Sequence, residues 1–163
     1  MPTKQNNIRP LANIHPTDQK ILRLLQRDGR MTNAALADAV GLSAAACLER
    51  VRRLKEDGFI RGYRAVLAPE LLERALLIYV EVTLDRISRD GFATFAEAIR
   101  RLPDVLECHM VAGGFDYLIK ARVKDMEAYR AFLGDTLLKI PGIRGTHTYV
   151  VMEEVKDTDE LPV

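Results

Sequence analysis

Apolar side chains recur at helical intervals through the first sixty residues and switch to strand-like alternation later in the chain. From Thr17 to Arg27, Ile21, Leu22, Leu24 and Leu25 share one side of a helix that Thr17 caps behind Pro16 and Gly29 ends. A short second helix follows the cap Thr32, with Ala35, Leu36, Ala39 and Val40 as its inner side. Gly41 then allows a sharp turn into Ser43, the cap of a third helix. In that helix Ala44, Cys47, Leu48, Val51 and Leu54 follow the i, i+3, i+4, i+7 rule of a buried stripe. Gly58 ends it, and Phe59 to Leu67 reads as an extended segment before Pro69.

From residue 76 the pattern becomes strand, helix, strand, strand, helix, strand. LLIYVEVTL (76–84) alternates with Leu76, Ile78, Val80, Val82 and Leu84 on one face, and Phe92, Phe95, Ala96 and Ile99 mark an amphipathic helix. VLECHMVA (105–112) and DYLIKARV (116–123) read as strands joined through Gly113, Gly114 and Phe115. Met126, Tyr129, Leu133, Leu137 and Ile140 line a second helix, and THTYVVMEEV (146–155) is the last strand. The expected fold is α+β: a three-helix helix-turn-helix domain of winged-helix type, then a βαββαβ ferredoxin-like domain. The boundaries are a flexible basic arm over 1–13, the DNA-binding domain over 14–63, a linker over 64–75, the second domain over 76–156 and a tail over 157–163. Both helices of the second domain are expected on one sheet face; Leu77 and Tyr79 lie on the other, which a second copy of the chain would cover.

Charge changes this picture. The net charge of +1 conceals a split, because residues 1–64 carry 12 Lys and Arg against 6 Asp and Glu, while residues 65–163 carry 12 against 17. A basic half suits a polyanion, and an acidic half has another task. The third helix is the one offered to a DNA major groove. Its outer side holds Ala45, Ala46, Glu49 and Arg53, flanked by Ser43, Arg50 and Arg52. The alanines let the backbone approach a groove and meet thymine methyls. Ser43 and Arg50 are then the candidate base readers, Arg52 and Arg53 the phosphate contacts, and Thr32 a further DNA contact at the second helix. The plainer alternative is that Glu49, Arg52 and Arg53 form ordinary surface pairs.

Other chemistry finds little support. Cys108 and His109 are neighbours on a strand, so they point to opposite faces and make a poor nucleophile and base. His15, His109 and His147 have no metal-ligand spacing, and Cys47 and Cys108 read as reduced, buried thiols. No catalytic residue, metal or cofactor is expected. With no run of about 18 apolar residues and no export signal, the expected location is the cytoplasm, without membrane contact.

The motifs ALADAVGLS (35–43), CLERVRRLKEDGFIRGY (47–63), ECHMVAGGFDYLIKARV (107–123), MEAYRAFLGDTLL (126–138) and TYVVMEEVK (148–156), in that order, resemble the Lrp/AsnC family of transcription regulators. The resemblance runs from Ile14 to Val155. It departs at Ser43-Ala44-Ala45-Ala46, where the family often has a proline-bearing polar run, and at His15, where an acidic residue is common. It implies a regulator of amino-acid metabolism genes that binds double-stranded DNA, forms homodimers assembling to octamers, and holds a small amino acid between dimers. Gly113, Gly114 and Asp116 are the implied effector contacts, with Thr146, Thr148 and Tyr149 for further polar contacts and Met110 for an apolar wall suited to a leucine-like side chain. The alternative is a stand-alone amino-acid-binding module without DNA binding.

Overall fold

The structure, a computed structural model, describes residues 14–85 and 90–163. The expected basic arm over 1–13 lies outside the described residues. The chain divides into two compact units: one runs to Val66 and also includes Asp157–Val163, and the other is Leu67–Lys156.

In the first unit, α1 spans Pro16–Arg27, α2 Asn33–Val40 and α3 Ala44–Glu56. The cap of α1 is His15, not Thr17: its Nδ1 accepts from the Thr17 amide at 3.2 Å, and Pro16 takes the first helical position, where no N–H is needed. Thr32 caps α2 by accepting from the Ala35 amide, and the inward pair is Leu36 and Ala37, with Ala35 exposed. Gly41 takes a left-handed φ of 71°, and the Leu42 amide donates back to the Ala37 carbonyl at 2.9 Å, closing α2 and turning the chain toward α3. The core of this unit is Ile21, Leu22, Leu36, Ala37, Cys47 and Leu54. Phe59 and Ile60 pack against it, after which the chain stays exposed to Ala68 and, among the described residues, joins no strand.

The second unit carries β1 (Leu76–Leu84), α4 (Gly91–Ile99), β2 (Val105–Met110), β3 (Tyr117–Val123), α5 (Met126–Ala131) and β4 (Ile143–Val150). The sheet order is β2-β3-β1-β4, with antiparallel neighbours throughout. Alternation along β1 sends Ile78, Val80, Val82 and Leu84 inward with Ile119, Ala121 and Val123 of β3, against Phe95 and Ile99 of α4. After Ala131 the helix widens into a π turn over Phe132–Thr136 and then tightens over Leu137–Lys139. The inward set is Tyr129, Phe132, Leu137 and Ile140, the π turn setting the five-residue step from Phe132 to Leu137, while Met126 at the start of α5 is exposed.

The last strand is Ile143–Val150, earlier than the 146–155 the alternation suggests. Beyond it the Val151 amide donates to the Leu77 carbonyl, and Glu154 takes both carboxylate oxygens to Nη2 of Arg122 at 2.6 and 2.7 Å. Arg122 is the cross-strand partner of Leu77, so this strap lies over the sheet's outer face. Leu77 is therefore only 5% exposed within one chain, and of the pair expected to await a second copy only Tyr79 stays half-exposed.

Candidate functional site

Two local arrangements carry the candidate residues, one in each unit. In the first, the starts of α2 and α3 are held together by Asn33, whose Nδ2 donates to the Ala44 carbonyl at 2.8 Å. The Thr32 and Ser43 oxygens accept from the Ala35 and Ala46 amides, so both hydroxyls serve as caps and still have a proton to donate outward. Ala44, Ala45 and Ala46 are all exposed, giving a helix start without side-chain bulk.

Arg50 turns toward α1. Its Nη1 donates to Oδ1 of Asp18 on α1 at 2.8 Å, with the two side chains only 29% and 20% exposed. It ties α3 to α1 and occupies one donor of the guanidinium. The inward stripe of α3 is accordingly Cys47, Val51 and Leu54 with Arg50 on its flank, and Leu48, expected in the core, is 59% exposed. Leu48 follows Ala45 by three residues, and so extends the exposed apolar start of α3 along the helix. Its place in the periodic stripe concealed it; the signal was the aspartate at position 18, which can draw Arg50 inward.

Arg52 sits between two carboxylates, at 2.7 Å from Oε1 of Glu49 and 2.5 Å from Oε1 of Glu56. The hydrogen bond from Arg52 holds the Glu49 carboxyl below its usual range, with the charges of Arg52 and Arg53 adding to it. The surface-pair reading thus holds for Glu49 and Arg52, yet all of these groups are exposed and a phosphate can compete for the guanidinium. Arg53 lines a small cleft with Ile14, Asp18 and Phe59.

In the second unit, the loop after β2 returns to β3 through Gly113, Gly114 and Asp116. Asp116 closes it: Oδ2 accepts from the Leu84 amide at 2.7 Å, its own amide donates to the Val82 carbonyl at 3.0 Å, and its carbonyl accepts from the Val111 amide at 3.0 Å. The carboxylate is half-buried and already fixes the loop to the end of β1. At Gly113 and Gly114 a Cβ would meet nothing within 4 Å, and neither has a positive φ. No close packing within the chain therefore demands glycine there.

The remaining effector candidates do not converge within one chain. Met110 is 62% exposed on the edge strand β2, whereas Thr146, Thr148 and Tyr149 lie on β4 at the opposite edge. Three strand spacings of about 4.8 Å separate those edges. Thr146 and Thr148 pair with Val82 and Val80 on the helix-covered face, where the Thr148 hydroxyl bonds that of Tyr129. Tyr149 pairs with Tyr79 on the outer face, and its hydroxyl donates to Glu81 at 3.0 Å. Met110, Tyr117, Val82 and Thr146 are successive cross-strand partners, so Met110 and Thr146 both lie at the end of the sheet that carries the loop, on opposite edges.

The cysteines and histidines follow the strand geometry. Cys108 pairs with Ile119 on the core face, where burial raises its thiol pKa, and His109 turns outward to Glu107 at 3.0 Å. No helix among the described residues is long and apolar enough to cross a membrane.

Residues 77–161 match the model of the Lrp/AsnC ligand binding domain, and residues 14–61 that of a winged helix-turn-helix DNA-binding domain. Over 155 residues the chain is 52% identical to the leucine-responsive regulatory proteins of Klebsiella pneumoniae and Escherichia coli strain K12, covering 95% of this chain and 94% of each relative. Among solved structures, a transcriptional regulator from Neisseria meningitidis in complex with L-Met superposes with a TM-score of 0.89 at 38% identity, covering 91% of this chain and 96% of that one. An AsnC family regulator from Agrobacterium tumefaciens gives 0.86 at 36% identity, covering 91% and 97%.

Proposed function

The chain belongs to the Lrp/AsnC family of transcription regulators, and from that premise we propose that it is a cytoplasmic homo-oligomer that adjusts amino-acid metabolism genes in response to leucine, methionine or a similar apolar amino acid. DNA binding by its helix-turn-helix unit and response to an amino acid through its ligand-binding unit come with the family. The finer reading draws on the relatives, one group named for leucine and one solved with L-Met.

The observation that carries the effector site is the pair of unexplained glycines beside a fixed carboxylate. A free amino acid brings an ammonium and a carboxylate, so its site needs an acceptor and donors. Asp116 keeps one carboxylate oxygen beyond its bond to Leu84, and the bare backbone at Gly113 and Gly114 offers amides to a second body. Met110 ends β2 directly before the loop and is exposed, so it offers an apolar wall that another subunit would complete. Such a placement lets the ligand favour one assembly over another through its differential affinity. On α3, Ala45, Ala46 and Leu48 offer methyl contacts and Ser43 a hydroxyl to the bases, while Arg52 and Arg53 hold phosphates and Thr32, at the start of α2, adds a further DNA contact.

The test is duplex affinity and oligomer size with and without L-leucine and L-methionine, for the parent, Asp116→Asn and Asp116→Ala. Asp116→Asn keeps an acceptor for the Leu84 amide but removes the charge, so it is expected to bind DNA as the parent does and to lose the response. Asp116→Ala also loosens the loop, at about 1 to 3 kcal/mol for the unsatisfied amide. An Asp116→Asn protein that responds at the parent's ligand concentration removes this carboxylate from the sensing site.

A further inference from the structure

The segment Asp157–Val163 belongs to the compact unit of the DNA-binding helices, although the chain reaches it only after the whole second unit. It forms one wall of a cleft of about 820 Å³ whose other walls are α1 and the exposed stretch after Phe59. Gln26 of α1 grips it by the backbone. Its Oε1 accepts from the Leu161 amide at 2.7 Å and its Nε2 donates to the Leu161 carbonyl at 3.0 Å. Val163 packs against the helical core. The far wall is firm as well, because Tyr63 lies so close over Gly29 that a Cβ there would meet its ring at 3.0 Å, and Lys55 sits over the same ring.

The tail is acidic and the cleft is basic. Asp159 pairs with Arg64, and Glu160 lies 4.0 Å from Arg27, while Arg30 and Arg61 line the same cleft. None of these four arginines belongs to the α2–α3 surface described above. Residues 1–66 carry a net +6, and the three acids Asp157, Asp159 and Glu160 cancel half of it. The charged pairs are open to water, with side chains between 51% and 80% exposed, so each contributes little and is screened by salt. The tail is thus held by one amide clamp and one apolar contact, with its charges available for exchange against another polyanion.

Resting on the DNA-binding reading, we propose that the cleft edged by Arg27, Arg30, Arg61 and Arg64 is a second contact surface for the DNA backbone, and that the acidic tail covers it in the free protein. The tail competes with phosphates for these arginines. It lowers affinity for arbitrary DNA and yields only when other contacts already hold the duplex.

The experiment measures affinity for a random-sequence duplex against salt for the full-length parent, Asp159→Asn/Glu160→Gln and Gln26→Ala, with hydrogen exchange of residues 59–66 recorded without DNA. Neutralising the two acids is expected to tighten binding several-fold at low salt and to steepen the log–log salt slope by up to roughly two, one for each arginine returned to phosphate. Gln26→Ala is expected to shift the slope the same way and to speed exchange over 59–66. A double variant with the parent's slope, or a Gln26→Ala protein with unchanged exchange, overturns the cover while leaving DNA binding intact. A parent that binds no duplex at any salt overturns the DNA-binding reading and the cover with it.

Discussion

The two units hold their shapes by different means. Among the described residues, the sheet unit buries fourteen in one cluster, from Ile78 on β1 to Ile140 beyond α5, whereas the helical unit's cluster buries six. A small core leaves a larger share of stability to polar fastenings. The helical unit has them: the His15, Thr32 and Ser43 caps, the Asn33 staple, the Arg50–Asp18 tie and the Gln26 clamp on the tail. The sheet unit rests on the larger core and adds ties of its own, such as Glu154 to Arg122 and Asp116 to the Leu84 amide. The unit expected to adjust to DNA is therefore the one fastened by exchangeable contacts, consistent with low local stability where a protein must move.

Truncating one core residue in each unit breaks this comparison most directly. Phe95→Ala, at a site with no solvent exposure, is expected to cost about 3 to 5 kcal/mol and to lower the later of two calorimetric transitions. Leu54→Ala, at 4% exposure, is expected to cost about 2 to 5 kcal/mol from a smaller total and to abolish the earlier transition while leaving the later one in place. A single transition that moves equally in both variants would show that the units melt together.

Strand alternation made the sheet legible, because period two leaves one choice of inward face and β1 matches it at every position from Ile78 to Leu84. Helix faces were less determined. On α3 the periodic rule admitted Leu48 as readily as Val51, and the choice was made by Asp18, an aspartate thirty-two residues before Arg50 that no local pattern includes. The π turn at Phe132 shifted the inward set of α5 by a mechanism that spacing cannot reveal. Asp116 was legible as a polar residue at a loop but not as the acceptor of the Leu84 amide, since that bond depends on the register of β1 against β3. The tail's return to α1 was the least legible, for it joins residues far apart through a side-chain amide and the backbone, a contact without any sequence signature.

An intermediate effect is expected from the tie between α1 and α3. Arg50→Ala leaves Asp18 without its partner in a half-buried setting, between the exposed pairs that contribute under about 1 kcal/mol and the buried ones whose rupture costs about 3 to 5. A loss of about 1 to 2 kcal/mol, confined to the earlier transition, is the expected outcome. Once folded, the variant should rank competing duplexes as the parent does. A changed ranking with unchanged melting would return Arg50 to the groove.

The smallest effect on stability is expected at Arg52, and it sharpens the comparison because it separates fastening from function within one helix. Its two partners, Glu49 and Glu56, sit at i,i+3 and i,i+4 on a fully open face, where pairs contribute a few tenths of a kcal/mol and Arg52 is 57% exposed. Arg52→Ala should therefore leave the earlier transition almost where it is in the parent. Its effect on DNA should be larger, since in the complex the guanidinium exchanges Glu49 and Glu56 for a phosphate, and losing that contact lowers the salt slope by about one. Glu49→Gln removes one competitor for the same guanidinium and should tighten low-salt binding slightly, the opposite direction to Arg52→Ala at nearly the same stability. Matching salt slopes for the parent and both variants would leave Glu49, Arg52 and Glu56 as a surface ion network and move the phosphate contacts of α3 to Arg53 and the helix start.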